Sequence, residues 1–276
     1  MAETFALGGD LEVRRLGFGA MRLCGPRILG WPDDRENALA VLRRALDLGV
    51  NLIDTSDAYG PEINELQVAE ALHPYPDGLV IATKGGLLRN EGGDWIADGR
   101  PEHLHAACEA SLRRLRVDRI DLYQLHSVDR RVPIEESVGE LARLREAGKI
   151  RHVGLSNVSI EELERAREVA PIVSVQNRFN LAVRHSERVL EACEQHGLAF
   201  LPWYPLAVGD LAQPGGRLEE LARRHEATPA QLALAWLLHR SPVVLPIPGT
   251  ASLEHLEENI AARRIELSHE ELAELA

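Results

Sequence analysis

Two periods of apolar residues alternate along this chain. Short apolar runs of strand length occupy residues 16–21, 51–53, 79–83, 120–125, 150–155, 172–175, 198–203 and 243–245. Between them, apolar residues recur three and four apart, as helices with one buried face require. Ala38, Val41, Leu42, Ala45 and Leu46 form one such face, opened by Asp33 and Asp34 and closed by Gly49; Ile134, Val138 and Leu141 form another. The latter belongs to a helix over 133–147, and further helices are predicted over 65–72, 101–115, 186–196, 217–225 and 229–238. Ser159 with Glu162 and Ser268 with Glu271 have the spacing of capping boxes, and Ser252 is placed to cap a helix after the last strand.

Eight strands, each followed by a crossover long enough for parallel pairing, predict an α/β fold. An open doubly wound sheet would alternate in the same way. Eight units without a Gly-x-Gly-x-x-Gly after the first strand favour a closed (β/α)8 TIM barrel, expected as a single domain over residues 1–276. Residues 7–13 precede the first unit and are placed to cap the barrel's N-terminal mouth.

Composition narrows the class. A formal charge of −12 disfavours a phosphate-backbone partner, so no nucleic acid is expected. Cys24, Cys108 and Cys193 match no metal-ligand spacing and suit a reducing compartment. The first ten residues have neither the basic start nor the apolar core of a leader, and the apolar stretch 198–208 is short and broken by Pro202 and Pro205. The expectation is a soluble cytoplasmic protein without a membrane partner.

The chemistry is expected where barrel strands end. Asp54 closes the second apolar run, with Tyr59 shortly after; Lys84 closes the third and His126 the fourth. Ser156-Asn157, Gln176-Asn177, Trp203-Tyr204 and residues 246–250 close later ones. Each has an ordinary reading taken alone: a turn cap, a rim lysine, a core histidine, a packing tryptophan. Together they form a proton-handling set at one end of a barrel, where ionisable groups gather at functional sites.

Over essentially its whole length the chain resembles the aldo-keto reductase superfamily, in its compact bacterial, pyridoxal-reductase-like form. The resemblance is carried, in order, by Gly17-Phe18-Gly19-Ala20-Met21, by Asn51-Leu52-Ile53-Asp54-Thr55-Ser56-Asp57-Ala58-Tyr59-Gly60, by Ala82-Thr83-Lys84 and by Tyr123-Gln124-Leu125-His126. It continues through residues 148–157, Val175-Gln176-Asn177, and Ile247-Pro248-Gly249-Thr250 to Glu258-Asn259. The resemblance implies an NADPH-dependent reductase of aldehydes or ketones, with NADH as an alternative cofactor and a small-molecule carbonyl as substrate. It implies Tyr59 as general acid, its pKa lowered by Lys84. Asp54 would keep Lys84 charged, and His126 would hydrogen-bond the carbonyl. It implies further that Ser156, Asn157 and Gln176 hold the nicotinamide carboxamide. Trp203 would stack on that ring, with Tyr204 beside it. Leu206, Gly209 and Leu211 would wrap the pyrophosphate, while Gly19, Met21, Gly249, Thr250, Ser252, His255, Glu258 and Asn259 complete the cofactor site.

Two features depart from that pattern. Some relatives carry Lys at position 249 and Arg at 255 to grip a 2′-phosphate, where this chain has Gly249 and His255. The substrate loops are short, leaving Trp31, Trp95 and Trp203 as candidates to line an aromatic pocket. A lysine at a strand end also fits a Schiff-base aldolase using Lys84, and the resemblance extends to channel-associated members of the superfamily, which implies as a third reading a redox-sensing cofactor-binding subunit with slow turnover. A monomer or weak homo-oligomer is expected.

Overall fold

The computed structural model describes residues 3–90, 92–206 and 216–275. A hairpin of β1 (Thr4–Leu7) and β2 (Leu11–Arg14) comes first. Parallel strands then alternate with helices: β3 (Phe18–Gly19), α1 (Arg35–Asp47), β4 (Leu52–Asp54), α2 (Ile63–Leu72) and β5 (Val80–Gly85). A second hairpin, β6 (Leu87–Arg89) with β7 (Trp95–Ala97), interrupts the series. It resumes with α3 (Pro101–Leu115), β8 (Ile120–Leu125), α4 (Ile134–Glu146), β9 (Ile150–Ser156), α5 (Ile160–Val169), β10 (Ile172–Gln176), α6 (Glu187–His196) and β11 (Ala199–Phe200). The described residues after it form α7 (Arg217–Arg224), α8 (Pro229–Arg240), α9 (Leu253–Ala261) and α10 (His269–Glu274).

The expected helix caps form. Asp34 accepts from the Asn37 N–H at 2.9 Å, and Ser159–Glu162 and Ser268–Glu271 both close capping boxes. Among the described residues seven strands run in parallel from β3 through β4, β5, β8, β9 and β10 to β11. The eighth predicted strand, 243–245, is a correction: the segment begins in a turn, where the Val244 N–H donates to Ser241 O at 3.3 Å, and joins the sheet by a single bridge, Phe200 to Val244. Pro242, Pro246 and Pro248 explain this, because a prolyl nitrogen cannot donate to a ladder. The segment closes the barrel all the same. Phe200 donates to Val243 O at 2.9 Å and Leu245 donates to Phe200 O at 2.8 Å. On the other flank Gly17 and Gly19 donate to the carbonyls of Pro246 and Pro248 at 3.0 and 3.3 Å.

Alternation along the strands sorts residues between two cores. Phe18, Ile53, Ile81, Tyr123, Val153 and Val175 face the helices. Leu52, Val80, Ala82, Leu122, Ala199, Leu201, Leu245 and Ile247 face inward, and Leu7 and Val13 of the first hairpin join them from below. The stopper expected from residues 7–13 is therefore in place. The same alternation carries Asp54, Lys84, Gln124, Ser156 and Gln176 onto the inner face, above the apolar layers. Among the described residues no helix is long and apolar enough to cross a membrane.

Candidate active site

The inner face opens at the strands' C-terminal ends into a cavity of about 700 Å³. Its lining includes Asp54, Tyr59, His126, Ser156, Asn157, Gln176, Trp203 and Gly249. At its floor lies a buried ion pair, with the Lys84 ammonium 2.6 Å from Asp54 Oδ1. Lys84 is fully buried, so each of its hydrogens needs an acceptor. It also donates to Thr55 O at 2.9 Å and to the Tyr59 hydroxyl at 3.3 Å. The other Asp54 oxygen accepts from Gln124 Nε2 at 3.1 Å and Gln176 Nε2 at 2.8 Å. An ion pair that would be costly to bury is thus fully hydrogen-bonded.

Burial works against the Lys84 charge, but Asp54 and the phenol outweigh it and its pKa is raised. Burial also raises Tyr59, and the nearby ammonium offsets only part of that rise. A phenol lowered below its ordinary value is therefore not what the protein alone provides. Burial and the Lys84 charge hold His126 well below the usual imidazole range, so it is neutral. Its Nδ1 lies 3.0 Å from Ser56 Oγ, and its ring meets Tyr59 and Trp95 edge to face.

Neighbouring elements fix these groups. The loop after β4 is tied to α2, where the Asn64 N–H donates to Tyr59 O at 3.1 Å and Thr55 Oγ1 donates to Asn64 Oδ1 at 2.7 Å. Asn64 Nδ2 in turn donates to Ala20 O at 3.0 Å, joining the exits of β3 and β4. Along one wall Ser156 Oγ donates to Gln176 O at 2.8 Å, while Asn157 Nδ2 donates to His126 O at 2.9 Å. Trp203 Nε1 donates to Asn157 Oδ1 at 2.9 Å, setting the indole beside that wall.

The structure brings Asp54, Lys84 and His126 of the strand ends together with Tyr59 of the loop after β4. Gly19, Met21, Trp203, Tyr204, Leu206, Gly249 and Thr250 line the same cavity. Ser252, His255, Glu258 and Asn259 do not. Ser252 caps α9, accepting from the His255 N–H at 3.2 Å, and the other three lie along that helix. Gly209 and Leu211 lie outside the described residues. Trp31 is away from the cavity, stacked under the Arg35 guanidinium, whereas Trp95 is on its rim. Gln124, Ser56 and Arg22 were not singled out from sequence. Gln124 precedes His126 by two, a spacing that shares a strand face; nothing comparable marked Ser56 or Arg22. The glycine at 249 has a steric reason: a Cβ there would sit 2.4 Å from Gly19 O, where the closing segment meets β3. Among the described residues no cluster of metal-ligating side chains occurs.

Comparison with known proteins agrees with this architecture. Residues 15–276 match the model of the aldo/keto reductase family. The chain is 50% identical over 267 residues to an oxidoreductase of Schizosaccharomyces pombe, covering 97% of this chain and 87% of that one. It is 44% identical over 280 residues to the pyridoxine 4-dehydrogenase of Escherichia coli K12, covering 99% and 97%. An aldo/keto reductase from Klebsiella pneumoniae, solved in complex with NADP and acetate, superposes with a TM-score of 0.85 at 32% identity, covering 100% of this chain and 94% of that one. A barrel whose strand ends converge on one polar floor, with a family match over nearly its full length, makes this chain an oxidoreductase belonging to the aldo/keto reductase family.

Proposed function

We propose that the protein, acting as one domain over residues 1–276, reduces an aldehyde or ketone to an alcohol with NADPH. Tyr59 is the general acid and His126 the carbonyl-binding group. The observation that carries this is the saturation of Lys84. An ammonium has three hydrogens and no acceptor site. With those hydrogens on Asp54, Thr55 and Tyr59, the phenol oxygen is an acceptor toward lysine. Its own hydrogen is free to point into the cavity, toward an oxygen that needs a proton. The neutral imidazole of His126 supplies a second contact at that oxygen. As the carbonyl becomes an alkoxide, charge builds up where Tyr59, backed by Lys84, already stands.

The donor set on the wall suits a nicotinamide. Gln176 spends its amide N–H on Asp54 and keeps its carbonyl oxygen, an acceptor for a carboxamide N–H. Ser156 and Asn157 line the same cavity, and the Trp203 indole offers a flat face to a planar ring. Bound there, NADPH would supply the hydride for the carbonyl carbon. Arg22 on the cavity rim is a cation available to phosphate, in place of a lysine at 249. Leu87 and Trp95 give the mouth an apolar side fit for a flat aromatic substrate. The pyridoxine 4-dehydrogenase relative supports trying pyridoxal first. The aldolase alternative fares worse, since a lysine held charged has no lone pair for a carbonyl carbon.

Tyr59→Phe tests the assignment. Turnover of pyridoxal or benzaldehyde should fall by ~10²–10⁴-fold, while NADPH still quenches tryptophan fluorescence. Undiminished turnover in that variant would remove Tyr59 from the role.

A further inference from the structure

Three groups meet at Ser56 Oγ behind the catalytic histidine. The Ala58 N–H donates to it at 3.1 Å, Asp57 Oδ1 lies at 3.1 Å, and His126 Nδ1 at 3.0 Å. A serine hydroxyl has one hydrogen and two acceptor positions. Ala58 takes one acceptor position, so the remaining two partners cannot be served alike. One receives the serine hydrogen, and the other must donate a hydrogen of its own. An ionised carboxylate cannot donate. An ionised Asp57 therefore holds the serine hydrogen, a protonated one releases it toward Nδ1, and the serine in turn decides which imidazole nitrogen is protonated.

We propose that Ser56 and Asp57 are positioning residues that select the tautomer of His126. With Asp57 protonated, the order runs from carboxyl to serine to Nδ1, and the imidazole hydrogen sits on Nε2, on the far side of the ring. His126 then presents a donor to the cavity. With Asp57 ionised, Ser56 turns its hydrogen to the carboxylate, Nδ1 carries the imidazole hydrogen and Nε2 becomes an acceptor. One proton leaves to solvent in this change, and the imidazole keeps one hydrogen throughout.

The surroundings make the switch accessible. Asp57 is buried, and the Glu65 carboxylate of α2 faces it, so its pKa is pushed up to about 8. The bonds from Ser56 and Ala58 and the Arg114 guanidinium of α3 oppose that rise. On β8 the Tyr123 hydroxyl neighbours the same carboxylate. Around His126 the groups are Tyr59, Trp95 and the Lys84 ammonium; burial and that ammonium keep the imidazole neutral, leaving tautomerism as its one remaining freedom. A carbonyl oxygen needs a donor, so reduction should weaken as pH rises through the Asp57 titration. The catalytic meaning of the switch rests on the reductase reading above; the tautomer itself does not.

The test is nitrogen NMR of protein labelled with ¹⁵N-histidine, His126 being assigned by its loss in His126→Asn. Spectra are taken from two pH units below to two above the Asp57 midpoint. In the wild type the hydrogen should move from Nε2 to Nδ1, centred near 8. In Asp57→Asn and in Ser56→Ala it should stay on one nitrogen throughout. A wild-type imidazole that keeps its hydrogen on one nitrogen over the range overturns the proposal, even if both variants fail to fold. So does a move that persists at the same midpoint in Asp57→Asn. In parallel, kcat/KM for aldehyde reduction should drop at least ~10-fold across the range in the wild type and stay flat in Asp57→Asn. A tautomer that switches in a protein reducing no carbonyl sinks the reductase reading alone; a fixed tautomer in a working reductase sinks the relay alone.

Discussion

Lys84 is a buried lysine that keeps its charge because every hydrogen on it has an acceptor. Removing it should hurt twice. Lys84→Met leaves the Asp54 carboxylate buried with two amides and no countercharge, an expected loss of ~3–5 kcal/mol by urea denaturation. It also removes the cation beside the phenol, so turnover should collapse. Adding Asp54→Asn should restore much of the stability and none of the turnover, since a neutral pair of similar volume is tolerated where a lone charge is not. A double variant that regained activity would contradict the role given to Lys84. At this scale the sequence was legible where polarity broke an apolar run, as at Asp54, Lys84 and His126. Gln124 was hidden inside such a run, and only the alternation of faces betrays it. Ser56 and Asp57 sit in a loop, where no periodicity says which way a side chain points. The pKa of Tyr59 was out of reach as well, because burial is a property of the assembled site.

Among the elements, the hairpin β6–β7 was missed. Its strands are three residues each, too short for alternation to register between a strong strand and a strong helix. Yet it brings Trp95 to the mouth, edge to face with Tyr59 and His126, with the Arg89 guanidinium over its ring at 3.8 Å from the centroid. Trp95→Ala should raise KM for aromatic aldehydes by ~5–30-fold, a loss of about 1–2 kcal/mol. The kcat on a small aliphatic aldehyde should change little. Equal loss on both substrates would mean that the hairpin shapes the floor rather than the mouth. The helices, by contrast, could be read almost to the residue, because caps such as Ser159 with Glu162 are local chemistry that tertiary context had no reason to override.

For the whole molecule the weak point is closure. The segment 243–248 takes the place of an eighth strand with prolines that cannot donate, so it holds largely through its carbonyls. From beneath, buried Arg15 donates to Leu238 O at 2.7 Å, to Ser241 O at 2.5 Å and to Val244 O at 3.3 Å. Arg15→Met should leave those carbonyls short of donors and cost ~2–4 kcal/mol of unfolding free energy, measured as a lower urea midpoint. An unchanged midpoint would mean that the bonds from Phe200, Leu245, Gly17 and Gly19 hold the closure without Arg15. The count of eight units was legible because each carries its own apolar run; how the last one seals was not, since that depends on which flank supplies the donors.

Leu7 and Val13 stopper the lower end of this barrel. Above them inward-facing side chains fill the bore, so nothing passes from end to end. Whatever reaches the polar floor enters from the mouth at the strands' upper ends, where the cavity opens. The small hairpin at the start of the chain, remote from every reacting atom, thereby shields the underside of that packed bore from water.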